Sequence, residues 1–388
     1  MTNETVQSGT SHQTKGDLFA SFNVEDFEVP GGRDEVWRFI ALRRLRGLHN
    51  GTFTEQAKPT VEVNASDAVQ VEVVAADDER LKVAGGAVDR VAAQAWTSLQ
   101  EATIVTIPAN EQIDEPVRIT ITGAGENVTS FGGVLVQSET GAKATVVVQY
   151  QGTGTHADNV NFVLGDNSRL DVVVDADWDE TAVHLGQQNI VLGRDATIRH
   201  TVATFGGEIV RIVPRVKFTA PGGDAELLGI YFADDGQYIE NRLLVDHAVP
   251  HCRSNVMYKG ALQADKQSKK PEARTCWVGD VLIRANAQNT DTYEVNRNLV
   301  LTEGARADSI PNLEIETGEI AGAGHAATVG RFDDEQVYYL MSRGIPEGQA
   351  RRLIIRGFFN EVIRQVPVES VRDTLAERVE EELGRVNL

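Results

Sequence analysis

The sequence is poor in cysteine and in aromatic residues, and it contains no long hydrophobic run. Its two cysteines, Cys252 and Cys276, are not spaced as a metal-binding pair, so neither a disulfide framework nor a self-contained thiolate cage is expected. No run of about 18 apolar residues is present, which argues against a membrane span. The polar start, MTNETVQSGTSHQTKGD, lacks the apolar segment of a signal peptide. These absences predict a cytoplasmic protein.

Basic residues are also scarce. The chain has 37 Lys and Arg residues against 57 Asp and Glu residues, which gives a net charge of −20. Such a surface repels a phosphate backbone, so nucleic acid is not an expected partner. The 35 glycines together with only 6% aromatic residues favour many short strands joined by tight turns.

Several catalytic and nucleotide-binding motifs are missing as well. There is no GxxxxGK[ST] loop, no GxSxG and no HExxH. Residues 322–327 fit GxGxxA, but no helix begins after them, so a dinucleotide site is not expected. His247 and His251 are four apart, yet Pro250 between them rules out one helical face, and a structural role is favoured. The chain alone is therefore expected not to be an enzyme.

Strand patterns dominate the middle of the chain. Runs such as IVTIP, VRITITG, ATVVVQY and LDVVVDA follow one another without intervening helices. Turn glycines Gly141, Gly165, Gly193 and Gly223 recur between them at loosely regular intervals. A loose repeat of this kind is typical of a solenoid, because stacked rungs share a core that one rung cannot bury alone. A two-sheet sandwich is the alternative.

Amides at Gln288, Asn289, Asn296 and Asn298 favour the solenoid, because stacked strands form side-chain amide ladders.

The sequence thus predicts a mainly β protein in four parts. These are a disordered tail over 1–20, a small mixed N-terminal domain over 21–102, a solenoid core over 103–328 and a helical C-terminal domain over 329–388. Within the second part we expect helices over 33–48 and 88–100 and a strand over 69–74.

The C-terminal part shows helical spacing. Asp333 begins one helix that stops at Gly344, and Pro346 opens the next. Apolar residues four apart then continue through Val371, Leu375, Val379 and Leu383. This domain has more apolar surface than two helices can bury on each other, so we expect it to pack on the solenoid or on a partner protein.

One histidine stands apart from the others. His325 lies in the segment AGAGHAATVG, where the solenoid is expected to end and the helices to begin. Small neighbours leave its imidazole open, which suits a metal ligand or an interface contact, although a lone histidine is more often structural.

Several long strings in the second half resemble the SufB/SufD family of iron–sulfur cluster assembly proteins. The strongest lie at 258–260, 287–299, 311–315, 325–330 and 338–345. Similarity is strong over about 240–365, and the segment RDEVW that begins at position 33 also resembles the family.

The resemblance implies a right-handed parallel β-helix flanked by two helical domains. It also implies a complex in which SufB and SufD pair through their β-helices, while an ABC-type ATPase, SufC, binds the C-terminal helices of each. Nascent cluster chemistry in the family is placed where SufB and SufD meet, with a cysteine from the SufB side and a histidine from the SufD side. His325 matches that histidine by motif, which makes it a tentative metal ligand shared with the partner.

No counterpart of the SufB cysteine is found, so the resemblance is to the SufD branch. Family members often have Cys-Ser-His-Gly-Ala-Thr where residues 323–328 read AGHAAT, and the basic loop over 263–275 resembles a surface insertion. No stably bound cofactor is expected in the isolated chain, and nothing in the sequence supports binding of reduced flavin, which the resemblance leaves open. The isolated chain could also form a homodimer.

Two other functions remain as alternatives. One is a SufB-like subunit that carries the nascent cluster itself, against which the missing cysteine argues. The other is a carbohydrate-active β-solenoid enzyme, which would need paired carboxylates and aromatic platforms that the sequence does not offer.

Overall fold

The computed structural model describes residues 14–53, 55–265, 267–331 and 333–385. Most of the predicted disordered tail, residues 1–13, lies outside them. The rest of that tail is placed against the core: Lys15–Asp17 form a 3₁₀ helix, and the Asp17 carboxylate lies 2.9 Å from the Arg284 guanidinium.

Two nine-stranded sheets form the body of the molecule, and consecutive strands alternate between them. The first sheet contains β1 (Thr60–Asn64), β4 (Val117–Thr122), β6 (Lys143–Gln151), β8 (Arg169–Ala176), β10 (Thr197–Thr204), β12 (Asp224–Ala233), β14 (Arg253–Leu262), β16 (Asp291–Val300) and β18 (Gly322–Gly330). The second contains β2 (Gln70–Ala75), β3 (Glu101–Ile107), β5 (Thr129–Ser138), β7 (Thr155–Leu164), β9 (Val183–Leu192), β11 (Ile209–Phe218), β13 (Tyr238–His247), β15 (Arg274–Ile283) and β17 (Arg306–Ile315).

From β3 to β18 every neighbouring pair within a sheet is parallel, which confirms the predicted parallel solenoid. Each rung consists of one strand from each sheet. Because side chains alternate across a strand, every second residue points into the space between the two sheets. The apolar residues of this interior form one continuous core from Val69 to Ala287.

The two ends of the solenoid differ. At the N-terminal end β1 pairs antiparallel with β4 and β2 pairs antiparallel with β3, so short strands that run the other way cap the stack, and each of them pairs on one side only among the described residues. At the C-terminal end β17 pairs only with β15, and β18 pairs only with β16, among the described residues. Both strands of the last rung therefore present a free edge, and free edges favour pairing with another chain.

The N-terminal segment packs on the outer face of the second sheet. The prediction of a helix over 33–48 is wrong: these residues form turns, and only Leu42–Leu45 form a 3₁₀ helix. Tertiary contacts override the helical spacing, since the Arg211 guanidinium lies 4.5 Å from the Trp37 ring centroid and Arg44 and Arg46 both contact Glu208.

The other N-terminal predictions agree with the structure. The predicted helix over 88–100 is α1 (Arg90–Ser98), and the strand predicted over 69–74 is β2. Two further 3₁₀ helices, Val24–Asp26 and Glu79–Lys82, complete this region.

Three helices follow the last strand: α2 (Asp334–Ser342), α3 (Glu347–Ile363) and α4 (Glu369–Arg385). The apolar sides of α3 and α4 cover the outer face of the first sheet, where Phe359 and Leu375 share a buried cluster with Leu228 and Ile230. Most of the apolar surface that these helices cannot bury on each other therefore packs against the solenoid, as one of the two predicted arrangements requires. None of the described helices combines the length and apolar character needed to cross a membrane.

The four amides do not form the predicted ladder between stacked strands, because the two on β16 bond to each other along the same strand and face no amide on the neighbouring rungs. Asn298 Nδ2 donates to Asn296 Oδ1 at 2.6 Å, and both side chains are buried between the sheets. Gln288 and Asn289 instead lie in the turn before β16, where Asn289 adopts a φ of 57°. The amides of the turn favour its geometry rather than stacking between rungs.

Candidate functional site

His325 lies on β18, at the open end of the solenoid. It is the Cα partner of Glu294 on β16, so its side chain continues an inward-facing column, but no further rung of the described chain covers it. Its side chain is consequently 44% exposed. The structure thus places His325 at the open end of the solenoid, where no further described strand covers it, rather than in a packed core.

A buried carboxylate lies under this imidazole. Glu294 is fully buried, and its Oε1 is 3.8 Å from His325 Nδ1. This distance is too long for a hydrogen bond, although it is within range of an electrostatic interaction. The open end therefore carries an imidazole with one carboxylate behind it.

Ala323 occupies the position where the family often has cysteine. It lies two residues before His325 on the same strand, pairs with Thr292 and packs against the interior apolar core. A cysteine here would place its thiol on the same face as the imidazole. In this chain that position offers a methyl group, which cannot bind a metal ion.

Neither cysteine is on the last rung. Cys252 is buried in the turn before β14, and Cys276 is buried on β15, on the side that packs against the N-terminal segment. Burial raises the pKa of the Cys252 thiol, and burial together with the nearby Glu240 raises the pKa of Cys276 to about 12. Because the thiolate is the metal-binding form, these two residues are poor ligands in the folded chain.

The histidines of the segment HAVPHC lie apart from that site, and His247 has the structural role that was predicted. His247 stacks on Phe218 with ring centroids 4.7 Å apart, and its Nε2 is 2.9 Å from Ser254 Oγ. His251 is exposed in a turn. The GxGxxA string at 322–327 lies within β18, and a dinucleotide site would need a helix to begin there.

A second cluster of ligand-type side chains was not anticipated from the sequence. His156, Asp158 and His184 are fully buried, with their ligand atoms within 4.8 Å of one another. Asp158 Oδ1 is 3.0 Å from His184 Nε2, and Asp158 Oδ2 is 3.3 Å from His156 Nε2. The signal was available: His156 and Asp158 share one face of β7, and His184 is the Cα partner of His156 on the next rung.

The hydrogen bonds around this cluster decide its chemistry. Trp178 Nε1–H can only donate, and it donates to His184 Nδ1 at 3.1 Å, so the proton of the neutral imidazole must be on Nε2. A protonated Nε2 cannot bind a metal ion. Tyr150 also donates its hydroxyl proton to Asp158 Oδ2 at 2.7 Å. The cluster is therefore a closed hydrogen-bond network rather than a metal centre.

Electrostatics support that interpretation. Burial lowers the pKa of His184, which keeps the ring neutral. Burial opposes ionisation of Asp158, but His184 and His156 together hold its pKa below the ordinary value. A neutral imidazole donating to an ionised carboxylate is a stable buried arrangement.

The string YKG at 258–260 has a structural explanation. Tyr258 points inward over Gly229, and Tyr231 of the preceding rung points inward over Gly260, so each aromatic ring fills the room left by the other rung's glycine. Lys259 points outward: its ammonium donates to Phe358 O at 2.9 Å and pairs with Glu361 on α3. This string therefore ties the interior packing of the solenoid to the C-terminal helices.

One large cleft lies beside the crossover turns. It has a volume of about 770 Å³, and the described residues that line it include Glu180, Glu208, Asp234, Asp235, Asp265 and Glu303 but no aromatic side chain. The loop that follows β14 forms one wall of the cleft. A carbohydrate site needs aromatic platforms for the sugar rings, so the cleft does not favour the carbohydrate-active alternative.

Comparison with known proteins agrees with the strings noted above. Residues 120–358 match the family model described as SUF system FeS cluster assembly, SufBD core domain. An iron–sulfur cluster assembly SufBD family protein of Mycobacterium tuberculosis is 56% identical over 97% of this chain and 94% of its own length. Mycobacterium leprae has one such protein at 56% identity over 95% of this chain and 94% of its own length, and a second at 22% identity over 69% of this chain and 30% of its own length.

A protein of Bacillus subtilis named iron–sulfur cluster assembly protein SufD is 27% identical over 71% of this chain and 62% of its own length. The family match includes β16 to β18, the strands that build the open end, because all three lie within residues 120–358. The chain belongs to the SufBD family of iron–sulfur cluster assembly proteins.

Proposed function

We propose that this chain is the SufD-type scaffold subunit of a SufBCD-like complex and pairs with a SufB-like subunit through the open end of its solenoid. The observation that carries the proposal is the position of His325, half-exposed between the free edges of β17 and β18. Parallel strands with free edges can be extended by strands of another chain, which would bring the partner's residues beside the imidazole.

The donor atoms support the SufD branch over a SufB-like, cluster-carrying subunit. Neutral imidazole is a good ligand for iron, whereas nascent sulfide and iron chemistry also requires a thiolate. Both thiols of this chain are buried and neither lies on the last rung, so the thiolate would come from the partner. Iron and sulfide are then substrates of the assembly, and the isolated chain is expected to bind no stable cofactor or flavin.

The relatives support a pair of unlike subunits. One relative is itself named SufD, and Mycobacterium leprae has both a close relative of this chain and a distant member of the same family. A distant second member is the kind of protein that could supply the other half of the pair. In its absence, the same free edges could join two copies of this chain as a homodimer.

We propose that the energy source is a separate ABC-type ATPase, since the sequence has no P-loop of its own. The docking surface for it would be the apolar patch on α2 and the start of α3, formed by Tyr338, Tyr339, Met341 and Leu353, all of them exposed. Exposed apolar patches of this kind mark interaction sites. In this arrangement the chain is not an enzyme but holds the partners in place.

A double substitution tests this docking surface. Tyr338→Ser with Tyr339→Ser should reduce capture of the ATPase at least tenfold, because exposed aromatic anchors contribute a large share of interface energy. Tyr338 is 74% exposed, so the fold should be unaffected. The control is Val73→Ser, which changes a comparably exposed apolar residue on β2 at the capped end, with 68% of its surface exposed.

Co-expression of the three subunits followed by affinity purification measures both effects. Undiminished ATPase recovery with the double variant would place the docking site elsewhere. Substitutions are better than truncation, because removing α3 and α4 would uncover Leu228, Ile230 and Phe232.

A further inference from the structure

The buried carboxylate of Glu294 is a candidate for a role beyond packing. It is the Cα partner of His325 in the neighbouring strand, and the two side chains lie on the same inward face of the sheet. Glu294 is fully buried, whereas His325 is 44% exposed. The exposed imidazole thus covers the carboxylate on the side of the open end.

The interior of the solenoid is shaped around this carboxylate. Gly279, on β15 of the same rung, leaves the room for it: a Cβ at that position would collide with Glu294 Oε2 and with the Trp277 ring. On the opposite side from His325, the Cα partner of Glu294 is the buried, apolar Val256 of β14. Burying a carboxylate is costly unless polar groups face it, and the His325 imidazole supplies one such group.

A carboxylate beside one nitrogen of a histidine fixes where the ring carries its proton. The Nδ1 atom of His325 is the one that faces Glu294 Oε1, at 3.8 Å. A shift of about 1 Å would bring the pair to hydrogen-bond distance. With the proton held on Nδ1, the lone pair remains on Nε2, which is the arrangement of carboxylate–histidine–metal triads.

We infer that Glu294 is a positioning residue for His325, accepting its Nδ1–H when the partner covers the open end and leaving Nε2 as the atom that binds iron. This inference rests on the proposed function, because it assumes that the end is covered by a partner. It adds a residue that acts only through the histidine and touches no substrate.

The test uses the complex of the full chain with its SufB-like partner. The chain carries ¹⁵N-labelled histidine, and the His325→Ala variant identifies the signals of that residue among the eight histidines. Nitrogen chemical shifts and couplings report which ring nitrogen bears the proton. We expect Nδ1–H in the wild type, and we expect the Nε2–H form to predominate in Glu294→Leu, which removes the acceptor.

Cluster output from the same complexes is the second readout. We expect cluster output to fall about 10- to 100-fold in Glu294→Leu. Loss of a carboxylate that hydrogen-bonds to a metal-bound histidine has an effect of this size in other metal sites. Glu294→Gln keeps the shape of the side chain and should lower output less, so it covers the case in which the leucine variant does not fold. The control is Glu319→Gln, an exposed carboxylate in the turn before β18.

Two results would overturn the inference. One is that His325 keeps the Nδ1–H form in both Glu294 variants, and the other is that cluster output from Glu294→Leu and Glu294→Gln is unchanged. The proposed function has its own test, which is pairing with the SufB-like subunit, and the assignment of the site to His325 fails if His325→Ala gives normal output from an intact complex, whatever the proton position. If His325→Ala abolishes output while Glu294→Leu does not lower it, only the role of Glu294 is wrong.

Discussion

Replacing His325 with alanine should leave the SufB-like pairing and the fold nearly intact while cluster output falls about tenfold or more. The magnitude follows from metal sites in general. There, substitution of a residue that only hydrogen-bonds to a metal ligand already lowers metal affinity or activity about 10- to 100-fold. The imidazole is 44% exposed and lies on the last strand, so its removal leaves no cavity in a packed core. We expect the free energy of unfolding to change by about 1 kcal/mol or less, because water at the open end replaces the imidazole beside Glu294.

Complex yield and cluster output must be measured on the same preparation. His251→Ala is the control, since it removes another exposed imidazole from a turn at the side of the solenoid. If His325 were structural, yield would fall and output would follow it in proportion. Normal output from an intact complex would refute the assignment of the site to His325.

The second large effect concerns the interior packing. Gly260→Ala should destabilise the chain by about 3 kcal/mol or more, because overpacking a core costs about 1–3 kcal/mol and a broken buried hydrogen bond adds about 1–3 kcal/mol. The added Cβ would overlap the Tyr231 ring and lie 2.7 Å from Asn298 Oδ1. Tyr231 cannot move away freely, since its hydroxyl donates to Asn298 at 2.7 Å and accepts from Asn296 at 2.9 Å.

Urea unfolding of Gly260→Ala and of Gly318→Ala separates this effect from a general cost of losing glycine. An added Cβ at Gly318 has open space around it, so we expect a change within about 0.5 kcal/mol. In a Tyr231→Leu background the same Gly260→Ala change should cost less, because the smaller side chain relieves the overlap. Equal urea midpoints for Gly260→Ala and Gly318→Ala would contradict this account of the core.

The solenoid was predictable because its cause is local and repeated. Turn glycines such as Gly141 and Gly165 recur at rung spacing, and apolar residues alternate with polar ones along strands such as β4. The helix predicted over 33–48 fails for the opposite reason, because its conformation depends on residues far away in sequence. Trp37 packs on Arg211, and Arg46 binds Glu208; helical spacing contains no information about either contact.

The site was partly predictable. His325 was singled out by its motif, and its predicted exposure agrees with the structure, where no further described strand covers it. Glu294 was not singled out, because its relation to His325 is a register pairing between β16 and β18, which are separated in sequence by β17 and the two short turns that flank it. His156, Asp158 and His184 were also missed, although the pairing of β7 with β9 brings them together, and the direction of the Trp178 N–H is the clearest sign that they form a hydrogen-bond network.

Hydrogen exchange of this chain, with and without the SufB-like partner, tests the central claim most directly. If the open end is the pairing surface, amides of β17 and β18 should exchange more slowly in the complex, because their free edges gain hydrogen bonds to the partner's strands. Amides of β1 and β2 at the capped end should be unchanged. Protection confined to β1, β2 or the C-terminal helices, with β17 and β18 exchanging as in the free chain, would contradict pairing through the open end.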